Sequence, residues 1–197
     1  MSSVLLIDAQ SRFRDLGLRF IDIEGVQGLF GVGNRNTLIK MLSRWEKNKI
    51  LSRIRRGEYQ VEGMGVGNYE IANRLVYPSY VSLETALSFY GILPQFGYSI
   101  TSVTTQKSAN RRKGNMDFEY IHINPQLYWG YEKQGEYLIA NKEKAIVDTL
   151  YLVAKGLRTT HPEEWDISGV DKSKLQEYAT RIKFNPFVKL FSRCNLV

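Results

Sequence analysis

The chain has 197 residues, of which 43% are hydrophobic and 24% are charged, and its formal net charge is +7. This composition excludes a disordered chain and predicts a soluble globular protein, long enough for one substantial domain or two small ones. The first residues hold only a short apolar run that stops at Asp8, too little for a signal sequence or a membrane span. The single cysteine, Cys194, excludes an internal disulfide and is typical of a reducing compartment, so we expect a cytoplasmic protein with no membrane partner.

The positive charge is concentrated in one segment. Residues 33–57 contain eight basic residues and one acid, Glu46, so this segment alone carries a net charge of +7 and the remainder of the chain is neutral. A concentrated basic surface is typical of proteins that bind a phosphate backbone. The alternative is a basic face that is only solvated. The eight residues are Arg35, Lys40, Arg44, Lys47, Lys49, Arg53, Arg55 and Arg56.

Two helices are predicted in the first thirty residues. The first covers about residues 3–17. A short extended piece at residues 19–21 leads to Asp22, a residue type suited to the N-cap of a second helix over residues 23–30, which Gly31 closes. Candidate core residues of the first helix are Val4, Leu5, Ile7, Phe13 and Leu16.

A third helix and a hairpin follow the turn at residues 31–33. Asn34 can cap this helix, in which one apolar stripe repeats at i, i+3, i+4 and i+7, and Asn48 ends it. Residues 50–61 then predict two short strands joined at a turn that contains Gly57. The stripe consists of Leu38, Met41, Leu42 and Trp45, and the opposite side of Asn36, Lys40, Ser43, Arg44 and Lys47. The order helix, helix, turn, helix, hairpin predicts an N-terminal winged helix-turn-helix over residues 1–62.

This arrangement predicts contacts with double-stranded DNA. A recognition helix presents a polar face to the major groove, where Arg can bond guanine and Asn can bond adenine, whereas Lys suits phosphates. We expect Arg35, Asn36, Lys40 and Arg44 to face the major groove, Lys47 to bind phosphate, and Arg53, Arg55 and Arg56 to contact DNA from the wing. A winged helix that binds only protein is the alternative.

The remaining residues predict a second domain. Residues 63–68 hold three glycines and are interpreted as a linker, because no Lys-Ser/Thr pair follows as in a phosphate loop. Residues 69–197 predict an α+β domain with a small, mainly antiparallel sheet. Its strands are expected at residues 98–104, 118–123, 127–131 and 137–140, and its helices at residues 71–76, 83–90, 142–154 and 172–182. The basic loop at residues 106–114 is interpreted as an exposed hairpin tip or an additional phosphate contact.

Catalytic patterns are weak. The two histidines lack the spacing of metal ligands. Asp117 and Glu119 resemble the paired carboxylates of nucleotidyl transfer, but without the turn and helix that hold a triphosphate. Glu143 and Asp148 fall on different sides of one helix, so they are not an acid-base pair. We expect no enzyme activity, cofactor or metal, and keep an enzyme acting on nucleic acid through Asp117, Glu119 or Glu143 as the third hypothesis.

Three segments resemble the AbiEi family of antitoxins and related transcriptional regulators. Residues 80–91, YVSLETALSFYG, are similar to the family's YxSxxSALxxxGL segment, with Thr85 where Ser is usual. Residues 137–151, YLIANKEKAIVDTLY, are similar to its IAxxEKALxDxLY segment, and Arg56-Gly57-Glu58-Tyr59 to its RGxY turn.

The resemblance implies a DNA-binding repressor encoded beside a nucleotidyltransferase toxin. Such proteins bind inverted repeats in their own operon through the winged helix, and we expect one or two copies of the chain on DNA. The resemblance further implies that residues 69–197 serve to counter the toxin. The rival hypothesis is an interaction module that binds the toxin or another protein directly and does not read DNA.

Overall fold

A computed structural model of the chain describes residues 3–94 and 97–196, with side chains from Asp8 onward. The chain divides into two compact units, Met1–Gly67 and Asn68–Val197. No helix within the described residues is long and apolar enough to span a bilayer.

The first unit combines three helices with a three-stranded antiparallel sheet of order β1-β3-β2. Its elements are α1 (Ser3–Asp15), β1 (Phe20–Asp22), α2 (Ile23–Phe30), α3 (Arg35–Lys47), β2 (Leu51–Arg55) and β3 (Glu58–Val61). Helix α1 ends two residues earlier than expected, because Gly17 adopts a left-handed backbone with φ of 62°. The other element positions follow the prediction closely.

The core of the first unit is built around three aromatic rings. Phe13, Phe30 and Trp45 meet edge to face, with ring centroids 4.9 to 5.6 Å apart. Leu38 and Leu42 are buried beside Trp45, which confirms three members of the stripe predicted on α3. Leu16 was expected in this core but is 56% exposed, because it lies beyond the end of α1. Three other core candidates, Val4, Leu5 and Ile7, lie outside the described side chains.

Local contacts fix the ends of α2 and α3, the two helices that flank the turn at residues 31–33. The Asp22 carboxylate accepts a hydrogen bond from the Gly25 N–H at 2.7 Å and so caps α2. The Asn34 side chain accepts from the N–H groups of Asn36 and Thr37 at 2.9 and 3.1 Å and caps α3. Gly31 closes α2 in the left-handed conformation, with φ of 64°. All three roles were predicted, and the turn between α2 and α3 is therefore defined by local chemistry.

The second unit contains a six-stranded mixed sheet of order β6-β7-β5-β4-β9-β8. Its elements are α4 (Asn68–Leu75), β4 (Ser79–Val81), α5 (Leu83–Phe89), β5 (Ser99–Thr104), β6 (Ala109–Lys113), β7 (Met116–His122), β8 (Tyr131–Gln134), β9 (Tyr137–Ala140), α6 (Lys142–Ala154), α7 (Lys172–Thr180) and α8 (Asn185–Cys194). Strands β4 and β9 pair in parallel, as do β5 and β7, while the other three pairs are antiparallel. The sheet is larger and more mixed than the small antiparallel sheet expected.

Two segments of the second unit differ from the prediction. The basic loop at residues 106–114 is largely strand β6, which pairs with β7 across a two-residue turn at Gly114 and Asn115. The strand expected at residues 127–131 is wrong, because a 3-10 turn occupies Pro125–Leu127 and the strand begins only at Tyr131.

Helix α6 is the centre of this unit. Its residues are buried without interruption from Glu143 to Leu152, and it packs against α5, α7 and α8. Phe187 and Phe191 of α8 are buried within the unit.

Candidate nucleic-acid interface

Helix α3 separates a packing side from an exposed polar side. Leu38, Leu42 and Trp45 point into the core, whereas every residue predicted to contact DNA from this helix is exposed. At about 100° per residue, the positions opposite the buried stripe are those of Asn36, Lys40, Ser43 and Lys47. Arg44 borders this face on one side and Ile39 borders it on the other, while Arg35 is the first residue of the helix. We call the exposed residues of α3 the reading face.

The hairpin arginines are less available than the sequence indicated. The Arg55 Nε lies 2.6 Å from the Glu58 carboxylate, and Glu58 itself is largely buried. The Arg53 guanidinium lies 3.4 Å from Glu46 on α3, and it also donates to the Tyr59 hydroxyl at 3.4 Å. That hydrogen bond, and then the charge on Glu46, raise the pKa of Arg53 above its usual value, so the group stays charged. Carboxylates of the same unit thus hold two of the three hairpin arginines.

The pairing of Arg55 shows why the basic segment looked more positive than it is. Counting charges over residues 33–57 stops one residue before Glu58, which is the partner of Arg55. Within the described residues, five basic residues of this segment are exposed and form no ion pair, namely Arg35, Lys40, Lys47, Lys49 and Arg56. These five side chains are therefore the most available cations of the basic segment.

The second basic cluster lies on an edge of the larger sheet. Strand β6 is the terminal strand, paired on one side only, and its Asn110, Arg111 and Arg112 are exposed. Arg112 lies 3.6 Å from Asp117 on the neighbouring strand, in an exposed pair. The cluster is therefore a basic sheet edge.

The carboxylates considered for catalysis contact basic side chains. Glu119 lies 2.6 Å from Arg158, and Glu143 lies 3.0 Å from Lys174 while also accepting from the Asp171 N–H at 3.1 Å. Among the described residues, no group of three or more His, Cys, Asp or Glu side chains is arranged to hold a metal ion. The structure does not bring Asp117, Glu119 and Glu143 into one such group.

A buried polar cluster connects α6 to β4 and was not predicted from the sequence. Lys144 is fully buried and forms an ion pair with Asp148 one turn later. The other Asp148 oxygen accepts from the Tyr80 and Ser82 hydroxyls, each at 2.9 Å. Burial, together with the nearby Asp148 charge, raises the pKa of Tyr80 well above its usual value. The i, i+4 spacing of Lys144 and Asp148 was the only signal in the sequence for this pair.

The surroundings of Lys144 are aromatic and tightly packed. Its ammonium group lies 4.7 Å from the centre of the Trp129 ring, a cation-π contact. Gly130 has a φ of 74°, and a Cβ built on it would lie 2.9 Å from Cγ and 3.0 Å from Cδ of Lys144. The lysine stem therefore occupies the space that a side chain at residue 130 would need.

No family model matches the chain, and no curated protein matches it.

Proposed function

We propose that the chain is a sequence-specific DNA-binding repressor of the AbiEi type, with a winged helix-turn-helix in its first unit. The observation that carries this proposal is the reading face of α3, exposed and polar opposite a buried apolar stripe. Two further features support it: the element order α1-β1-α2-α3-β2-β3, and a hairpin that pairs with β1 in one antiparallel sheet. In this proposal α3 enters the major groove and the β2–β3 hairpin is the wing.

The side chains have different roles in this interface. Asn36 and Arg44 are suited to base edges, with Arg35 at the start of the helix. Lys40 and Lys47 lie on the same side of α3, form no ion pair with the part of the chain that the structure describes, and are suited to the groove and the flanking phosphates. Arg56 is the principal wing contact, since Arg53 and Arg55 each have to share their charge with a carboxylate.

The antitoxin part of the proposal depends on the resemblance. Its two longer segments contact each other, because Tyr80 and Ser82 of the first bind Asp148 of the second. These are positions of the YxS and EKALxD patterns, so the residues that carry the resemblance form one buried cluster. We propose that the second unit counters a nucleotidyltransferase toxin encoded next to this gene, with no cofactor and no catalytic step of its own.

Salt dependence of binding to the upstream DNA of its own gene tests the proposal. The logarithm of the association constant should fall with the logarithm of salt concentration, by about 0.9 per phosphate contact. Lys47→Ala should reduce this slope by about 0.9 and weaken all sequences alike. Fluorescence anisotropy of labelled duplexes measures both.

The matched control is Lys172→Ala, which removes an exposed lysine from the second unit and should leave the slope unchanged. Upstream DNA that binds no more tightly than a random duplex, or an affinity that does not respond to salt, would contradict the proposal.

An interaction module is the second candidate, because β6 presents an edge that is unpaired within its sheet. Co-purification with the product of the neighbouring gene, without any shift of upstream DNA at physiological salt, would favour this function over the first.

A further inference from the structure

Ile39 is an apolar residue in a polar surface. Its side chain is 53% exposed on α3, where the positions of the reading face otherwise carry charged or hydrogen-bonding groups. A branched side chain loses rotamer freedom in a helix, and here it recovers little of that cost through burial. Neither the core nor the local helix explains an isoleucine at this position.

The position of Ile39 relates it to the groups that would face base edges. On a helix surface its neighbours are three and four residues away. Three of these four neighbours are exposed hydrogen-bonding residues, namely Arg35, Asn36 and Ser43, while the fourth, Leu42, points inward. The aliphatic side chain therefore lies beside Arg35 and Asn36, two of the residues predicted to face the major groove.

We propose that Ile39 selects a thymine in the DNA site by packing against its C5-methyl group; this inference rests on the proposed function. The thymine methyl is the apolar group that the base pairs of the major groove present, while the other base edges there carry hydrogen-bond donors and acceptors. An isoleucine cannot form hydrogen bonds with those donors or acceptors, so packing it against them removes them from water at a cost in free energy. Opposite a thymine, it instead removes a methyl group from water.

Removing single methyl groups from the DNA tests this inference directly. Selection from a random duplex library with the full-length protein defines the preferred site. Each thymine of that site is then replaced singly by uracil, which keeps the base pair and deletes only the methyl group. We expect one or two of these replacements to weaken binding of the wild-type protein by about fourfold, the value of one buried methyl group.

The variant Ile39→Ala should bind the wild-type site about as weakly as the wild-type protein binds the uracil site, and should lose all response to uracil at those positions. Because the side chain is exposed and Ala favours helix, this variant should unfold at no lower temperature than the wild type. The matched control is Leu16→Ala, which shortens an aliphatic side chain of the same unit that is 56% exposed and lies outside α3. It should keep the complete uracil profile of the wild type.

The outcomes separate this inference from the proposed function. A wild-type protein that selects a defined site, but shows the same uracil profile as Ile39→Ala, overturns the role of Ile39 and leaves the repressor proposal intact. A wild-type protein that selects no duplex, and binds its upstream DNA no better than a random one, overturns both.

Discussion

Lys144 has no exposure to solvent, and its charge is matched by Asp148 on the next turn of α6. Burying both charges away from water is costly, so such an ion pair contributes little net stability. A substitution that neutralises only one partner destabilises the fold, because it leaves the other charge buried without a counter-charge. The Tyr80 and Ser82 hydroxyls bind the same carboxylate. A change at Asp148 therefore affects its contacts with strand β4 as well as those within α6.

We predict that Asp148→Asn lowers the free energy of unfolding by about 3–5 kcal/mol, as expected when a buried pair loses one charge. Urea denaturation followed by circular dichroism measures the change. Adding Lys144→Met to this variant should recover much of the loss, because the uncompensated charge is then absent.

The control for this prediction is the exposed pair of Lys133 and Glu136, whose side chains are each about 60% accessible to solvent. Glu136→Gln should cost less than about 1 kcal/mol. If Asp148→Asn costs no more than Glu136→Gln, the buried pair does not have the role described here.

At the scale of elements, the short connection between α2 and α3 decides how the reading face is presented. Gly31 ends one helix in the left-handed conformation, and Asn34 begins the next by accepting two backbone hydrogen bonds. The cap is adjacent to Arg35 and Asn36, so a change at residue 34 acts on both helix stability and the charge beside the proposed DNA contacts.

We predict that the two effects of residue 34 can be separated. Asn34→Ala loses the acceptor and should cost about 1 kcal/mol in thermal unfolding. Asn34→Asp keeps an acceptor of good capping ability, so it should unfold like the wild type while binding upstream DNA more weakly, because it adds a negative charge. If Asn34→Asp binds upstream DNA as tightly as the wild type does, residue 34 does not lie beside the DNA contacts.

The elements differ in how far the sequence predicted them. Helix α3 was predicted because one face of it is uniformly apolar, which is typical of a helix that buries that face in a core. Strand β6 was missed because Asn110, Arg111 and Arg112 are exposed in succession, on both faces of the sheet, so this strand has no alternation of apolar and polar residues. The aromatic run near Trp129 suggested a strand, but its rings pack around Tyr80 and Lys144 instead.

The candidate site, like the fold, was predicted only in part. The exposed side of α3 followed from its period, whereas the partners of Arg53 and Arg55 depend on hairpin register and on the approach of Glu46, which no local pattern specifies. The burial of Lys144 could not be predicted, because lysine is rarely buried unless it is paired. The cluster that surrounds its ion pair with Asp148 includes Tyr80 of β4, which is distant from α6 in the sequence.

At the scale of the whole molecule, the two units carry different chemistry. The basic segment lies entirely in the first unit. The second unit contains the tyrosines whose pKa is raised, in each case mainly because burial disfavours the phenolate. They include Tyr69, Tyr80, Tyr90, Tyr120, Tyr128 and Tyr137.

We predict that the second unit loses stability at alkaline pH. Because the folded pKa of these tyrosines lies above the unfolded value of about 10, their contribution is complete below about pH 10 and is lost as the pH rises towards the folded pKa. Urea denaturation at increasing pH measures the loss.

The variant Tyr90→Phe removes one of these groups and should make the alkaline decrease less steep. The usual pKa of tyrosine is about 10. A free energy of unfolding that stays constant well above that pH would contradict the prediction.

The contact between Gly130 and Lys144 places a joint restriction on two positions that are fourteen residues apart. A chain with the same arrangement can carry a side chain at the first position only if the second shortens, so the two positions have to vary together. We therefore expect the glycine before β8 and the lysine in the first turn of α6 to be kept or exchanged together wherever this packing is kept.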